Sequence, residues 1–173
     1  INEFYPTEDL TFAVIDIGYD GTKVSIIKNG IIYVSRIVEI GGKYIDQNIL
    51  NFFEYSQEEI MEKKEEIEDI THLADEEYSD YNRIINIIKN TFEILNEKIE
   101  IIFRYYLTRE VDNKIHMILL FGEGANINGI AGLYSNYFNI PSIKIESLNN
   151  IIFNGEIAKY INAIGSILRT TEV

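Results

Sequence analysis

Residues 10–22 read Leu-Thr-Phe-Ala-Val-Ile-Asp-Ile-Gly-Tyr-Asp-Gly-Thr. The apolar, β-branched run in this stretch predicts a strand that is buried on both faces. Gly18 and Gly21 follow it in a turn, where glycine lets backbone N–H groups approach an anion closely and Thr22 adds a hydroxyl donor. Asp16, at the end of the strand, is placed to hold a hydrated Mg²⁺ beside phosphates. The stretch therefore predicts a strand that leads into an anion-binding turn.

Two further strands and a helix are predicted directly after this turn. Alternating residues indicate strands over 22–27 and 31–39, joined by an Asn-Gly pair that tolerates the positive φ angles of a tight hairpin. A pair of glycines then ends the strand pattern, and apolar residues at helical spacing predict a helix over 43–55. Three consecutive antiparallel strands thus open the domain.

A second glycine turn follows the apolar run 115–121 and reads Gly122-Glu123-Gly124-Ala125. It is predicted to open a helix over 127–138, whose N-terminal dipole and free N–H groups suit an anionic or polar ligand. Neither turn matches the P-loop or the dinucleotide-binding fingerprint. A short strand over 142–145 and a last helix over 157–169 complete the predicted order.

The middle of the chain is acidic and helical. Between residues 54 and 80 the chain has many acidic side chains and only two lysines, Lys63 and Lys64. Most of the net negative charge therefore comes from this stretch. This stretch is interpreted as a solvated surface or as an acidic docking or cation site, although it lacks the spacing of a calcium loop. Apolar residues in steps of three and four predict a long helix over 78–106, either packed inside the lobe or forming a coiled-coil seam.

These patterns divide the chain into an entry segment, a sheet subdomain made of two parts, and a helical subdomain inserted between those parts. The predicted divisions are residues 1–9, residues 10–53 with 111–173, and residues 54–110.

Composition excludes several classes of function. The chain has 173 residues, with 28 acidic and 15 basic side chains and a formal net charge of −13. That charge argues against proteins that neutralise nucleic-acid phosphates or bind anionic bilayers. With no cysteine, disulfides and thiolate sites are excluded, and neither histidine lies in a metal or triad motif. No signal peptide and no apolar run able to cross about 30 Å of hydrocarbon is found, so a cytoplasmic protein is predicted.

Taken in order, the two glycine turns and the strands before them resemble the second half of the actin-like ATPase superfamily, and within it the PilM-like proteins of type IV pilus assembly. The likeness runs over residues 10–169. It is carried by Val14-Ile15-Asp16-Ile17-Gly18, Arg36 before Gly41-Gly42, Ser56-Gln57-Glu58-Glu59, Ile118 to Ala125 with Gly129 and Leu133, Ile140-Pro141 and Ala163-Ile164-Gly165. The resemblance implies an α/β fold with a ribonuclease-H-like mixed sheet of order β-β-β-α-β-α-β-α and a small inserted helical subdomain.

The resemblance also implies a nucleotide site, in which ATP and Mg²⁺ lie between two halves of the full-length protein. It assigns Asp16 to the metal, through water, and to the γ-phosphate, the first glycine turn to the phosphates, the glycine pair to the ribose and the second turn to adenosine. Lys64 falls near a lysine that reaches the nucleotide in relatives, although Met61 replaces the glutamate usual just ahead of it. The implied nucleotide-binding residues are Asp16, Gly18, Tyr19, Asp20, Gly21, Thr22, Gly41, Gly42, Lys64, Gly122, Glu123, Gly124 and Ala125, and none is assigned a catalytic role.

Two departures from the family pattern bear on activity. Glu123 replaces the middle glycine of the adenosine turn and adds a negative charge beside an anionic ligand. The first phosphate loop of the family is absent, as is the half that carries the groove for a membrane partner's cytoplasmic tail. We therefore expect weak or absent ATP binding by this chain and no ATP hydrolysis.

The resulting expectation is the C-terminal half of a cytoplasmic scaffold of the pilus assembly platform. Its implied partner is the cytoplasmic tail of an inner-membrane pilus protein, bound through the missing half, so that the protein lies at the inner face of the membrane without entering it. Self-association is left open, and no nucleic-acid partner is expected. The alternatives are an FtsA-like cell-division protein, a sugar or acetate kinase relative, and a nucleotide-free interaction module.

Overall fold

Five strands and five α-helices make up the part of the chain that the computed structural model describes, which is residues 10–74, 79–147, 155 and 157–168. The predicted entry segment 1–9 and residue 78, the first of the predicted long helix, lie outside these ranges. In chain order the elements are β1 (Thr11–Ile17), β2 (Thr22–Lys28), β3 (Ile31–Val38), α1 (Gly42–Leu50), α2 (Gln57–Glu65), α3 (Asp80–Leu107), β4 (Met117–Phe121), α4 (Ile130–Phe138), β5 (Ser142–Lys144) and α5 (Ile161–Leu168). Single 3₁₀ turns, Glu123–Asn126 and Ile157–Lys159, precede α4 and α5.

The strands form one mixed sheet in the order β3-β2-β1-β4-β5. β1 pairs antiparallel with β2 and parallel with β4, and β4 pairs parallel with β5. In this register Asp16 lies opposite Phe121, so β1 and β4 end side by side. The two glycine turns that follow these strands therefore leave the sheet at the same edge.

The hairpin between β2 and β3 has the predicted turn. Asn29 has φ of 50° and Gly30 has φ of 77°, which are the positive angles that join twisted antiparallel strands in two residues. A register shift follows at Ile26 and Ile27, where β3 carries an extra residue. The three-stranded antiparallel opening is thus confirmed.

β1 is buried on both faces, as its sequence predicts. Ala13, Ile15 and Ile17 belong to the main core with α1, α3 and α4, whereas Phe12 packs on the other face against Ile157 and neighbouring residues before and within α5. The alternation follows from the period of two along a strand. The sheet therefore lies between two layers of helices in the described part of the chain.

The long helix α3 packs inside this fold and has 28 residues. Its N-terminus is capped by the Ser79 hydroxyl, which accepts a hydrogen bond from the N–H of Asn82. Its buried stripe, which includes Ile88, joins the same core as the sheet. The packed-helix interpretation is therefore confirmed, although two other apolar residues of this helix, Ile94 and Ile101, are exposed.

Several boundaries differ from the predicted ones. The helix predicted over 127–138 begins only at Ile130, because Gly129 has φ of 83° and interrupts the helical backbone. The helix predicted over 43–55 ends at Leu50, and the last helix is divided into a 3₁₀ turn and α5. Helix propensity alone does not locate such ends, since a single left-handed residue or a packed loop decides them.

α2 begins at a capping box that is formed by the sequence Ser-Gln-Glu-Glu of residues 56–59. The N–H of Glu59 donates to the Ser56 hydroxyl over 3.2 Å, and the N–H of Ser56 donates to the Glu59 carboxylate over 2.7 Å. Ile60 of α2 is buried in the main core together with residues of the sheet. The residues assigned to an inserted subdomain thus share one core with the sheet, and their division into subdomains stays a prediction.

Candidate functional site

The first glycine turn is held in shape by the start of α1. The N–H of Gly18 donates to the Gly21 carbonyl, and the N–H groups of Gly42 and Lys43 donate to the carbonyls of Gly18 and Tyr19 over 3.0 and 2.9 Å. These bonds draw the helix N-terminus onto the turn. The predicted phosphate residues and the predicted ribose residues are therefore in direct backbone contact.

Gly41 explains why that contact requires glycine. A Cβ at this position would overlap the carbonyl oxygens of Gly18 and Tyr19, and it would lie 2.8 Å from the backbone nitrogen of Gly21. All three are backbone atoms, so no rotamer change relieves the clash. The glycine pair thus serves close packing of two backbone segments.

Two side chains of this turn already have partners. Thr22 is fully buried, and its hydroxyl donates to the Ile40 carbonyl over 2.7 Å. Asp20 is exposed and lies 3.7 Å from the Lys43 ammonium. A contact between Thr22 and a phosphate would require its present hydrogen bond to break, so its role as a hydroxyl donor stays a prediction.

Asp16 lies at the end of β1, between the two glycine turns. Its Oδ2 accepts a hydrogen bond from the Asn162 side chain of α5 over 2.7 Å. Among the described residues no cluster of three or more histidine, cysteine, aspartate or glutamate side chains could hold a metal ion. A lone carboxylate fits a Mg²⁺ ion that keeps most of its water, and a hydrated Mg²⁺ at Asp16 is what the sequence predicts.

Gly122 brings the second turn against the first. Its φ is 92°, and a Cβ there would lie 2.6 Å from both the Asp16 carboxylate and the Ile17 carbonyl oxygen. The next glycine, Gly124, packs against the Ile17 side chain just as closely. The N–H of Gly122 donates to the Ala158 carbonyl over 3.0 Å, which fixes the turn from its other side.

The second turn does not open a helix, contrary to expectation. Glu123 to Asn126 form a single 3₁₀ turn, and three further residues separate it from the start of α4. The dipole of α4 therefore does not end at this turn, because helix-dipole effects are confined to the first turn of the helix. What the turn offers a ligand is a backbone brought close by small residues, with the exposed Glu123 side chain beside it.

A cavity of about 270 Å³ joins part of the predicted site. Of the predicted residues, Tyr19, Gly42, Lys64, Glu123 and Gly124 line it. Seven residues absent from the sequence prediction complete the wall, namely Ile45, Met61, Glu65, Asn126, Ile127, Asn128 and Lys159. Ligand pockets commonly reach about 300–1,000 Å³, so this cavity is the size of one part of a nucleotide site.

The other predicted residues support the cavity from behind or lie beside it. Those outside its lining are Asp16, Gly18, Asp20, Gly21, Thr22, Gly41, Gly122 and Ala125. Gly41, Thr22, Gly122 and Ala125 are buried, so their contribution is to hold the two turns together. The nucleotide contacts of the whole set stay a prediction.

Lys64 has a partner that sequence reasoning missed. Its Nζ lies 2.7 Å from Oδ1 of Asp46, and the two side chains are only 22% and 10% exposed. Asp46 stands on the buried side of α1 between Ile45 and Ile49, and a carboxylate among core positions is the signal that could have revealed it. The pair joins α1 to α2 at the wall of the cavity.

Solved structures share the fold of this chain. The chain is similar to a chain of a PilM-PilN type IV pilus biogenesis complex, with a TM-score of 0.73 and 19% identity over 97% of this chain and 48% of that one. It is also similar to MreB5 of Spiroplasma citri bound to AMPPNP, with a TM-score of 0.62 and 18% identity over 94% and 56% of the two chains. For Bacillus thuringiensis ParM with ATP the TM-score is 0.51, with 18% identity over 92% and 47%.

These likenesses establish an actin-like ATPase fold. This chain spans about half the length of the chain that it matches in the PilM-PilN complex. A sequence comparison with curated proteins finds no significant match. In the described ranges no helix combines the length and the apolarity that a membrane span requires.

Family membership rests on the sequence itself. The profile of the type IV pilus assembly protein PilM matches residues 5–165, which is most of the chain and includes both glycine turns and all five strands. The chain therefore belongs to the family of the type IV pilus assembly protein PilM.

Proposed function

We propose that this chain forms the C-terminal half of the nucleotide cleft in a PilM-type scaffold of the pilus assembly platform. The observation that carries the proposal is the cavity at the end of β1 and β4, where both glycine turns and Lys64 meet. Relatives of the same fold have been solved with AMPPNP and with ATP, which supports an adenine nucleotide as the ligand.

Different residues of this chain would contact different parts of the nucleotide. The backbone from Gly18 to Thr22 would face the phosphates, and Gly41 with Gly42 would lie at the ribose. Gly124 would support adenosine from behind, while Asp16 would hold Mg²⁺ through water. The metal, when bound, would neutralise phosphate charge.

Two features of the cavity would weaken binding by this chain. Glu123 is exposed beside the ligand space, and its negative charge opposes an anionic nucleotide. Lys64 is already paired with Asp46, so a contact with the nucleotide would have to compete with a hydrogen-bonded ion pair. We expect weak or absent ATP binding and no hydrolysis, since the first phosphate loop that relatives carry belongs to the half that this chain does not cover.

The scaffold role would be exercised through a membrane-bound partner. The PilM relative was solved as a complex with PilN, which supports the cytoplasmic tail of an inner-membrane pilus protein as the partner. We place that contact on the half of the protein that this chain does not cover. The protein would then lie at the inner face of the cell membrane, held there by its partner.

Titration of ATP and MgCl₂ into the 173-residue chain, followed by calorimetry or by NMR, tests the nucleotide assignment. Glu123→Gly is expected to tighten binding by up to about tenfold, since a like charge about 4 Å from an anion costs about 1 kcal/mol in water. Gly132→Ala on α4, outside the cavity lining, is the control and should bind as the parent chain does.

The same titration separates the second candidate function. A nucleotide-free interaction module is favoured by the presence of Glu123 where relatives have glycine, and by the Lys64–Asp46 pair. Both features act against nucleotide binding. Absence of binding in the parent chain and in Glu123→Gly, at millimolar ATP, would support that alternative. Robust ATP turnover by this chain would contradict both.

A further inference from the structure

An open groove lies between β3 and α3 and shares no lining residue with the cavity at the glycine turns. Its volume is about 570 Å³, and its apolar wall includes Ile37 of β3 and Ile101, Ile102 and Tyr105 of α3. Ile37 is 73% exposed and Ile101 is 60% exposed. A contiguous patch of exposed apolar side chains usually marks a binding surface. The groove is therefore a candidate docking surface.

β3 forms one edge of the sheet in the described part of the chain, where it pairs with β2 alone. In an antiparallel pair, alternate residues direct both their N–H and their C=O away from the partner strand. The Ser35 carbonyl is one such outer group, since the exposed Arg36 guanidinium donates to it over 2.8 Å. β3 therefore offers backbone hydrogen-bonding groups directly beside the apolar groove.

The sequence of β3 does little to protect this edge. Sheets commonly guard an edge strand with proline, with several charged side chains or with a very short strand. β3 has eight residues and no proline, and Arg36 is its only charged residue. Ile31, Ile32 and Ile37 of the same strand are exposed. A long apolar edge of this kind is a template for pairing with a further strand.

Two cations lie at the groove without a carboxylate partner. Arg36 and Lys98 are exposed lining residues, and the ion pairs found among the described residues involve neither of them. Glu39 is the only acidic residue of the lining, so this wall has a net positive charge on a chain whose formal net charge is −13. A carboxylate on the occupant would complement that wall.

We propose that the β3 edge and this groove bind an extended segment of a partner protein, which adds to the sheet as a further strand. Its backbone pairs with the outer N–H and C=O groups of β3, and an incoming N–H takes over the Ser35 carbonyl. Arg36 is then released to bind, together with Lys98, a carboxylate of the segment. Apolar side chains of the segment contact Ile101 and Tyr105. This assignment does not depend on the nucleotide site.

A second copy of this chain fits the same edge less well. Two-fold antiparallel pairing centred on Ser35, Arg36 or Ile37 would place the two Arg36 side chains within two positions of each other on one face of the sheet. Like charges so placed destabilise a strand pair, and two chains with a net charge of −13 also repel. The observations therefore favour a partner that carries its own carboxylate.

NMR titration of the 173-residue chain with short peptides tests the proposal. The probe is acetyl-Thr-Val-Thr-Glu-Thr-Val-Thr-amide, whose alternation places valine and glutamate on one face of a strand. We expect saturable shifts of the Ser35 and Ile37 amide resonances, with intermolecular NOEs between the peptide and β3. The same peptide with every backbone amide N-methylated should bind at least about tenfold more weakly, because it cannot donate strand hydrogen bonds.

Variants identify the side chains responsible. A probe with glutamine in place of glutamate should bind about two- to fivefold more weakly to the parent chain, as expected for an exposed ion pair. The double variant Arg36→Gln/Lys98→Gln should bind the glutamate and glutamine probes equally. Ile101→Ala should weaken binding of the probe several-fold. Ile94→Ala, exposed on the same helix but outside the groove lining, is the control and should leave binding unchanged.

Three results would overturn the proposal. The first is a set of peptide-induced shifts that leaves β3 unaffected, and the second is equal binding of the N-methylated probe. The third is a dimer of the parent chain, detected by sedimentation velocity, that Ile37→Lys converts to a monomer. That last result would assign the β3 edge to a second copy of this chain.

Discussion

Gly122 turns the chain directly after β4 with a φ of 92°. At this residue the conformation and the surroundings both require glycine, because a Cβ would approach the Asp16 carboxylate and the Ile17 carbonyl. The geometry of the candidate site therefore requires a residue without a Cβ atom at this position. Gly41 does the same for the first turn, where a Cβ would meet backbone oxygens. Substitution at such residues should affect the whole site at once.

Gly122→Ala is expected to lower the free energy of unfolding by about 1–3 kcal/mol, the usual cost of a non-glycine residue in a disfavoured backbone region. Urea denaturation followed by circular dichroism measures it. Gly132→Ala in α4 is the matched control, since its Cβ would meet only a Thr71 methyl group at 3.8 Å. That control should stabilise the protein by up to about 1 kcal/mol through helix propensity. Equal effects of the two substitutions would show that the site does not need the glycine.

The Glu59 carboxylate at the start of α2 makes the stability of the protein depend on pH in the acid range. Hydrogen bonds from Ser56, first from its backbone N–H, lower the pKa of the Glu59 carboxyl below its ordinary 4.5. Because the folded pKa is depressed, the contribution of this carboxylate to stability is present above 4.5 and is lost as the pH falls through the folded value.

NMR titration should give a lower midpoint for Glu59 in the folded chain than in the chain unfolded in urea. Glu59→Gln keeps the acceptor of the capping box and should remove this part of the acid sensitivity. Equal midpoints in the two states would mean that the capping box does not hold the carboxylate in solution.

At the scale of elements, helices are tied to their neighbours by single polar side chains. Asn82, in the first turn of α3 and almost fully buried, bonds both backbone groups of Ala74 at 2.8 and 2.9 Å. Asn48 of α1 donates to the Thr91 hydroxyl of α3 over 3.0 Å. Apolar packing positions these helices broadly, and the polar bonds fix how loop and helix meet.

Asn82→Ala is expected to cost about 1–3 kcal/mol of unfolding free energy, because it removes two hydrogen bonds to the backbone of Ala74, each worth about 0.5–1.5 kcal/mol. Chemical denaturation measures the loss, and hydrogen exchange should show faster exchange at Ala74. Asn86→Ala, one turn on and exposed, is the control and should be neutral or slightly stabilising. A neutral Asn82→Ala would mean that the loop before α3 is not anchored there.

Lys64→Met should also destabilise the protein, by about 1–3 kcal/mol, since it leaves the nearly buried Asp46 carboxylate unpaired. Adding Asp46→Asn to Lys64→Met should recover part of the loss. Urea denaturation of the two single variants and the double variant forms a cycle that measures the coupling. Additive effects would show that α1 and α2 are joined by packing alone.

At the scale of the whole molecule, the described part of the chain is organised around one main core. Residues of the sheet, of α2 and of α3 belong to the same buried cluster, although the sequence assigns α2 and α3 to an insertion. A core shared in this way favours a single cooperative transition. The smaller cluster on the other face, around Phe12 and Ile157, holds α5 against β1 and β4.

Ile88→Ala is expected to cost about 2–5 kcal/mol, because it opens a cavity at a fully buried position of α3. Hydrogen exchange with mass spectrometry should show strands and α3 losing protection at the same urea concentration, in the parent chain and in the variant. Ile101→Ala is the control on the same helix, since this side chain is 60% exposed. Separate transitions for α3 and the sheet would support an independent inserted subdomain.

Much of the fold could be predicted from local patterns. Local patterns predict β1 from its period of two, the hairpin from the Asn-Gly pair after β2, and α3 from its spacing of three and four. They do so because side-chain direction repeats with the backbone. Helix ends were less predictable, since they depend on residues such as Gly129 whose φ is fixed by packing. In the candidate site, the glycines and Lys64 could be found by their resemblance to a family, and Asp46 could not.

The sequence by itself determined the order of strands and helices, the two glycine turns and the family to which the chain belongs. Only the tertiary structure decided how those parts are used: Thr22 donates to a backbone carbonyl, Lys64 pairs with Asp46, and the second turn is separated from α4. The physical reason is distance along the chain. Asp16 and Asn162 meet across 146 residues, and such contacts arise from packing of the whole fold, which no local spacing encodes.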